Sequence, residues 1–233
     1  MDQRTISDQL ELLATTRTIR RYTEEPVSES DLNTILWSAS RAPSGSNRQS
    51  FRFVVLRESP VANEVKKILG SAFRAGWSNK QEDDGYRQGS GRAADSPKSR
   101  QAAAMQHYVD NFESIPVVVL VCLKRHRAPN PYEGASVYPA CQNLLLAARA
   151  LGYGAALTMW HQAVESDIRE LLAIPDNVAL SACITIGRPQ GSHGPVRRRP
   201  IAELVYEDRW DQSADWAVDP PGTKFTSAGP PSR

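Results

Sequence analysis

The apolar run from Ile115 to Cys122 constrains the fold more than any other part of the chain. Its residues are Ile-Pro-Val-Val-Val-Leu-Val-Cys, with no polar side chain among them. Such a run is too short to span a bilayer, and its β-branched residues favour a strand. The run therefore predicts a buried strand at the centre of a sheet. A chain of 233 residues is long enough to build one sizeable core around it.

Helices and further strands are predicted before and after this central strand. Apolar residues at helical spacing predict helices over residues 5–16, 28–39, 61–69, 137–151 and 166–173. Ser28 and Asp31 form an approximate capping box at the start of the second helix. Additional strands are predicted over residues 51–56, 155–159 and 179–186. Residues 74–100 are rich in Gly, Ser and Asp and predict a mobile polar segment.

The loop before the strand at residues 51–56 has the composition of a ligand-binding turn. Pro43, Ser44 and Gly45 interrupt regular structure, and Asn47 and Gln49 follow with amide side chains. A loop of this kind exposes backbone N–H groups and side-chain amides at the entrance of a strand. These donors and acceptors could hold a flat polar heterocycle.

Two clusters of arginines suggest a small anionic ligand. Arg17, Thr18 and Arg20 combine guanidinium groups with a hydroxyl, which suits a phosphate. The second cluster covers residues 197–199. Each cluster also has a simpler interpretation, as a solvated helix end or a basic loop. Because 28 basic and 26 acidic residues nearly cancel, the whole chain gives no case for binding nucleic acid.

The remaining composition favours a soluble cytoplasmic protein. Cys122, Cys141 and Cys183 lie far apart in apolar runs, which predicts buried, reduced thiols and no disulfide framework or metal site. The first residues do not resemble a signal peptide, and no apolar run is long enough to cross a membrane. We therefore expect neither a membrane partner nor a nucleic-acid partner.

Several motifs in a fixed order resemble those of the FMN-dependent bacterial nitroreductase family. The motifs are Arg17-Thr18-Ile19-Arg20-Arg21-Tyr22, Ala42-Pro43-Ser44-Gly45-x-Asn47-x-Gln49, Cys141 to Ala148, Leu151-Gly152-Tyr153-Gly154, Ile186-Gly187-Arg188-Pro189 and Arg198-Arg199-Pro200-Ile201. The resemblance spans roughly residues 8–205. It implies an α+β fold with a three-layer arrangement, in which helices flank a central mixed or antiparallel sheet. It also implies an intertwined homodimer with FMN at the interface.

The resemblance implies a role for each of these motifs. Arg17 and Thr18 would hold the FMN phosphate, with Arg198 or its neighbour Arg199 joining them, and Arg20 would lie by the N1/O2 edge of the flavin. A positive charge there stabilises the reduced flavin. The remaining cofactor-binding positions are Pro43, Ser44, Gly45, Asn47 and Gln49 from the second subunit, and Leu157, Thr158 and Met159 on the N5 side.

The family's organisation implies one FMN-binding domain over residues 1–210, with a variable lid at about 74–113 and an extended tail over 211–233. The lid contains Trp77, Tyr86, His107 and Tyr108, which could stack on an aromatic acceptor, and Trp160 could border the pocket. Packing within the core is the alternative role for these rings, and His107 is more typical of a surface histidine than of an acid catalyst. In the family's dehalogenases a threonine hydroxyl lies near N5. Met159 at the corresponding position instead favours two-electron hydride transfer.

The resemblance therefore implies an oxidoreductase that passes hydride from NADH or NADPH through FMN to a nitroaromatic or quinone by a ping-pong mechanism. No side chain is assignable as a separate catalytic acid or base, since the flavin carries the redox step. A flavin-binding protein without turnover, serving as a store or a redox sensor, shares the same cofactor residues and stays an alternative. A binder of nucleic acid or of an acidic partner through the arginine clusters is a third hypothesis.

Overall fold

A four-stranded antiparallel sheet forms the centre of the fold. This computed structural model describes residues 3–94, 96–191, 193–194 and 196–225. The strands are β1 (Phe51–Leu56), β2 (Val117–Lys124), β3 (Gly154–Thr158) and β4 (Val178–Gly187). Their order is β1-β2-β4-β3, and every neighbouring pair is antiparallel. The apolar run is β2, which has a strand on each side, so its prediction as a central strand is confirmed.

The helices are α1 (Gln3–Thr15), α2 (Glu29–Ala39), α3 (Pro60–Asp83), α4 (Pro97–Asp110), α5 (Tyr138–Ala150) and α6 (Glu165–Leu171). Each helix except α4 starts or ends within about two residues of the start or end of a predicted helix. Helix α4 was not predicted. The predicted cap at the start of α2 is also present, because the Ser28 hydroxyl accepts a hydrogen bond from the Asp31 N–H at 3.1 Å.

Successive side chains of β2 point to opposite faces of the sheet and contribute to a separate core cluster on each face. Val119 and Val121 contribute to a cluster formed with α2 and α5. Val118 and Leu120 contribute to a second cluster formed with α3, α4 and α6. Because successive strand residues point to opposite faces, an uninterrupted apolar strand requires cover on both sides. Helices supply that cover, which gives the three layers of the α+β fold.

The segment predicted to be mobile and polar is largely helical. α3 continues to Asp83, well beyond the predicted end at residue 69, and α4 follows at residue 97. Phe73 and Trp77 on α3 are 0% and 1% exposed and join the second cluster. The prediction of a short helix followed by a mobile segment was wrong, because burial of these two rings stabilises α3 through residues with little helical pattern.

The chain contains two compact units. One unit, Arg17–Ser192, contains the sheet and helices α2 to α6. The other comprises Met1–Thr16 and His193–Arg233, and in it the α1 side chains of Leu10 and Leu13 are 60% and 55% exposed. The single domain and the boundary at residue 210 remain predictions.

The three cysteines are buried and unpaired, as the sequence predicted. Burial raises the pKa of the Cys122 thiol to about 11, and that of Cys141 and Cys183 to about 12. Over the described ranges, no helix is both long enough and apolar enough to span a bilayer. In the same ranges no three His, Cys, Asp or Glu residues gather in a metal-binding arrangement.

Candidate functional site

The first arginine cluster lies on an extended segment beside β3. Thr18 forms a parallel bridge with Ala155, and the Ile19 N–H donates to the Ala155 carbonyl at 2.9 Å. Ile19 is buried, whereas Arg17 and Thr18 are exposed. Ile19 therefore anchors the segment, and Thr18, which points to the opposite side of the extended chain, is left at the surface. Arg17, at the start of the segment, is exposed as well.

Close packing at Gly154 holds this segment against β3. A Cβ atom added at Gly154 would lie 2.6 Å from the Cβ of Ile19, so only glycine allows the observed approach. Gly154 lies in one of the motifs by which the family was identified, but its contact with Ile19 joins positions far apart in sequence. Sequence reasoning did not assign it this role.

Hydroxyl groups buried behind Arg20 form a hydrogen-bonded chain. The Tyr22 hydroxyl donates to the Ile19 carbonyl at 2.6 Å and lies 2.9 Å from Thr185 Oγ1. The Tyr108 hydroxyl lies 3.0 Å from the same Thr185 oxygen. Burial raises the pKa of both phenols, and the Arg20 charge opposes that rise. Arg20 and both tyrosines border one small cavity of about 30 Å³.

The loop over residues 43–49 has an unusual backbone. Ser46, Asn47 and Gln49 have φ angles of 53°, 50° and 49°, in the left-handed region. Non-glycine residues adopt this conformation rarely, and clusters of them are typical of binding sites. The Ser44 hydroxyl accepts the Gln49 N–H at 2.8 Å, and the Gly45 N–H donates to Ser136 Oγ at 3.3 Å. The side chains of Asn47 and Gln49 are exposed.

The C-terminal end of β3 borders an open groove. Leu157, Thr158 and Met159 are half-buried. Met159 and Trp160 line a cavity of about 690 Å³ between α3 and the turn that follows β3. The indole of Trp160 packs edge-on against Phe73, with ring centroids 5.5 Å apart. Among the aromatic residues predicted to contact the acceptor, Trp160 therefore lines an open cavity.

The other predicted aromatic contacts are placed in the core or beside it. Trp77 and Tyr108 are 1% and 3% exposed, and the Trp77 indole N–H donates to Gln106 Oε1 at 3.0 Å. Tyr86 packs edge-on against Trp77, with ring centroids 5.1 Å apart. This burial favours the alternative role, in which Trp77 and Tyr108 pack within the core because the α3–α4 region folds over the sheet. His107 is half-buried on α4 and borders the 30 Å³ cavity near Arg20.

The second arginine cluster lies in the other compact unit. Arg198 forms a parallel bridge with Phe225, and its guanidinium donates to the Arg197 carbonyl at 3.0 Å. Arg199 lies 3.9 Å from a Glu203 carboxylate oxygen. Both side chains are exposed. The structure thus brings residues 17–20 and 157–159 to one edge of the sheet, whereas Arg198 and Arg199 belong to a separate unit.

Comparison with known proteins assigns this arrangement to a family. The model of the nitroreductase family matches residues 13–188, which include the sheet, residues 17–20 and the loop over residues 43–49. This chain belongs to the nitroreductase family. Its resemblance to that family, first seen in short motifs, is therefore confirmed over most of its length.

Several proteins of known name or structure are similar to this nitroreductase-family chain. A protein of Archaeoglobus fulgidus, provisionally named an NADH dehydrogenase/NAD(P)H nitroreductase, is 26% identical over 86% of this chain and 98% of its own. Iodotyrosine deiodinase 1 of Rattus norvegicus is 25% identical over 84% of this chain and 67% of its own. A Desulfovibrio desulfuricans protein, solved in complex with FMN and provisionally named a nitroreductase, is 28% identical over 87% of this chain and 97% of its own, with a TM-score of 0.63. This structural similarity confirms the predicted α+β fold.

Sequence reasoning missed several residues that build the site of this nitroreductase-family chain. Ser136 supports Gly45 from 91 positions away, and Thr185 joins the two tyrosine hydroxyls. No local pattern marks either residue. Tyr22 was quoted within a motif, and its position next to the arginines was the available signal.

Proposed function

We propose that this protein is an FMN-dependent oxidoreductase that transfers hydride from NADH or NADPH to an electrophilic acceptor such as a nitroaromatic or a quinone. The observation that carries the proposal is the extended segment beside β3. It puts the exposed Arg17 and Thr18 side chains on the same sheet edge as residues 157–159. Membership of the nitroreductase family and the FMN complex of a relative support the same function.

The dimensions of this edge fit FMN. Thr18 is paired with Ala155, and Thr158 lies three residues further along β3, which corresponds to about 10 Å at the rise of a strand. A phosphate held by Arg17 and Thr18 would therefore leave the length of a ribityl chain before Thr158 and Met159. Arg198 or Arg199 would contribute a further cation to the phosphate.

The loop over residues 43–49 fits the flavin ring. Its three left-handed residues turn the backbone sharply, and the Asn47 and Gln49 amides are exposed for hydrogen bonding. Gln49 Nε2 lies 3.2 Å from Asn47 Oδ1, so the two amides support each other. We propose that Pro43, Ser44 and Gly45 pack against the FMN of a second copy of the chain.

Bound FMN would supply the redox chemistry by accepting and donating hydride at N5. Arg20 would hold a fixed positive charge at the N1/O2 edge and stabilise negative charge there. The buried Tyr22 and Tyr108 rings border the same small cavity as Arg20, and a less polar surrounding strengthens the effect of its charge. Met159 offers a backbone N–H and no hydroxyl at the N5 side, which favours two-electron transfer. Trp160 would contact the acceptor.

Exposed apolar residues support a homodimer. Leu10 and Leu13 on α1 and Trp37 on α2 are 60%, 55% and 60% exposed, and Trp210 is 83% exposed. Burying such side chains against a second copy is favourable, at roughly 1.5–3 kcal/mol for each large apolar side chain. We expect light scattering after size-exclusion chromatography to give twice the chain mass.

Two measurements test the proposed activity. Purified protein should carry a yellow chromophore that NADH or NADPH bleaches under anaerobic conditions. Steady-state kinetics with a nicotinamide donor and a quinone should then give parallel lines in double-reciprocal plots. Flavin that neither donor bleaches would favour a storage or sensing protein, and a colourless protein that does not bind added FMN would refute the proposal.

The variant Arg17→Ala tests the placement of the phosphate. Loss of one charge-assisted hydrogen bond is worth about 1.5–3 kcal/mol, so FMN should bind about 10- to 100-fold more weakly. Quenching of FMN fluorescence measures the affinity. Lys67→Ala, an exposed cation paired with Glu64 on α3, is the matched control and should bind FMN normally. Equal affinity in the two variants would contradict the assigned role of Arg17.

A further inference from the structure

A further cavity, lined by cationic residues, adjoins the loop over residues 43–49. It has a volume of about 160 Å³ and lies between that loop, the end of β2 and the segment that follows β2. Four arginine or lysine residues line it, against one carboxylate. The cations are Arg48, Lys124, Arg125 and Arg127, the carboxylate is Glu133, and His126 also lines the cavity.

The single carboxylate is already committed to one of these cations. Arg125 Nε and Nη2 donate to the two Glu133 oxygens at 2.9 Å and 2.7 Å. The hydrogen bonds from Arg125 are the main reason why the pKa of Glu133 lies below its ordinary value. They also close the segment between residues 125 and 133 into a loop. Glu133 is therefore a structural partner of Arg125. Its charge also acts on Arg127, but one carboxylate cannot balance the four cations that line the cavity.

The other cations lack ion-pair partners within the described ranges. No carboxylate lies within 4.0 Å of the Arg48, Lys124 or Arg127 side-chain nitrogens there. All three residues are exposed, so they remain free to approach an anion. Like charges held close together repel each other, and an anion bound between them relieves that repulsion.

The size of the cavity limits what it can hold. At about 30 Å³ for each water molecule in the liquid, 160 Å³ corresponds to roughly five waters. One phosphate group with part of its hydration shell fits this volume, and the cationic lining favours an anion over an uncharged ring. Guanidinium and ammonium groups are the usual protein donors to phosphate.

We propose that this cavity binds a phosphate group of the nicotinamide nucleotide donor. Gly45 and Ser46 form part of its wall, and they belong to the loop that is proposed to pack against the flavin. A nucleotide phosphate held here would thus be anchored next to the site of hydride transfer. The inference rests on the proposed function for its donor. It assigns Arg127 and Lys124 a role in selecting phosphorylated donors, and Arg48 a supporting one.

Kinetics with three donors test this role. The donors are NADPH, NADH and 1-benzyl-1,4-dihydronicotinamide, which carries no phosphate, with menadione as a neutral acceptor throughout. In Arg127→Gln and Lys124→Gln, the ratio of kcat/KM for NADPH to that for the phosphate-free donor should fall about tenfold or more. Lys67→Gln removes an exposed charge from α3 and should leave this ratio at its original value.

The pattern across donors identifies the phosphate involved. A fall for NADPH alone assigns the cavity to the 2′-phosphate, and equal falls for NADPH and NADH assign it to the bridging diphosphate. Calorimetric titration provides a readout that is independent of turnover. 2′-AMP or ADP should bind the unaltered protein, adenosine should not, and binding should weaken with added salt.

The outcomes separate this inference from the proposed function. If the protein turns over NADPH and the donor ratio is unchanged in both variants, the phosphate site is refuted while the oxidoreductase stands. A changed KM for a carboxylated quinone, with donor kinetics unaltered, would assign the cavity to the acceptor and also refute it. If no donor reduces the flavin, the proposed function fails first, and calorimetry still decides whether phosphate binds here.

Discussion

The two faces of the sheet are built from different kinds of side chain. The face covered by α2 and α5 is mainly aliphatic, with Ile35, Leu144 and Ala148 completely buried, and its cluster includes the rings of Phe51 and Tyr153. The face covered by α3, α4 and α6 contains a group of aromatic rings, in which Phe73 contacts Phe112 at a centroid distance of 4.6 Å. Small aliphatic residues let two helices pack closely on the sheet, whereas large rings require room and a polar partner for each hydroxyl.

Buried polar groups are concentrated on the aromatic face or at its borders. Lys66 is 3% exposed and donates to the Ile115 carbonyl at 2.7 Å. His161 is fully buried, with Nε2 3.2 Å from the Leu180 carbonyl. Thr185 is fully buried and joins two tyrosines. The aromatic face also adjoins Arg20 and the groove at Trp160. We infer that the aliphatic face mainly stabilises the fold, and that the aromatic face also shapes the candidate site.

The largest effect is expected from truncating the centre of the aromatic face. Phe73→Ala should lower the free energy of unfolding by about 3–5 kcal/mol, because Phe73 is completely buried and contacts three other rings. Leu144→Ala on the aliphatic face should cost about 2–5 kcal/mol. Urea unfolding followed by circular dichroism measures both.

The comparison between the faces depends on a second readout, from milder substitutions at the same two positions. Phe73 supports Trp160, so Phe73→Leu should raise KM for a quinone, whereas Leu144→Met should leave KM unchanged. If both substitutions alter KM equally, the two faces do not differ in the way inferred here.

The elements of the aliphatic face were predicted more completely than those of the aromatic face. α5 was predicted within one residue at each end, since Leu144 and Ala148 belong to an apolar helical pattern ended by Gly152. β1 was predicted without error, because turn residues precede a run of apolar residues. These signals come from residues that are close together in the sequence, so they can be recognised without knowing the fold.

The second half of α3 has no comparable signal. Gly70 and Gly76 disfavour a helix in this part of the chain. The helix is maintained because aromatic rings on α3 pack against residues on α4 and in the turn after β3. The start of α4 could have been read, since Ser96 caps it and Pro97 occupies its first turn. In the candidate site, Asn47 is a residue type that tolerates a left-handed backbone, but Ser46 and Gln49 are not. The loop is held by hydrogen bonds to Ser44 and Ser136; Ser44 was part of the predicted loop, whereas nothing in the sequence indicated Ser136.

Removing the shared oxygen of the hydroxyl chain should have the next largest effect. In Thr185→Val, the buried Tyr108 hydroxyl loses its 3.0 Å contact, and an unsatisfied buried hydroxyl costs about 1–3 kcal/mol. Adding Tyr108→Phe removes the unsatisfied group and should recover part of that loss. A double-mutant cycle by urea unfolding measures the coupling. Strictly additive effects would show that the Thr185–Tyr108 hydrogen bond contributes little.

The pH dependence of stability should also distinguish the two faces. Burial lowers the pKa of His161 below its ordinary value of 6.5, so the folded protein binds a proton at this ring less readily than the unfolded chain does. Stability is therefore lost as the pH falls from 6.5 towards the lower pKa of the folded state. The slope is at most about 1.4 kcal/mol per pH unit.

Replacing the histidine isolates this contribution. His161→Gln should show a weaker loss of stability between pH 7 and pH 5.5, measured by urea unfolding at each pH. The carboxylates Asp31 and Glu133 have lowered pKa values and titrate below this window, so they do not obscure it. Parallel profiles for the variant and the original protein would rule out His161 as the source.

The smallest effect is expected on the aliphatic face, at the start of α2. Ser28→Ala removes the cap hydrogen bond to Asp31 and should cost about 1 kcal/mol. Ser38→Ala, in the same helix, removes only a bond to the carbonyl four residues earlier and should be nearly neutral. Because Tyr153 also donates to Asp31 at 2.7 Å, α2 keeps one attachment to the β3 side of the sheet in Ser28→Ala. A loss much larger than 1 kcal/mol would mean that the cap also positions Asp31 for Tyr153, in which case the aliphatic face depends on a polar network as the aromatic face does.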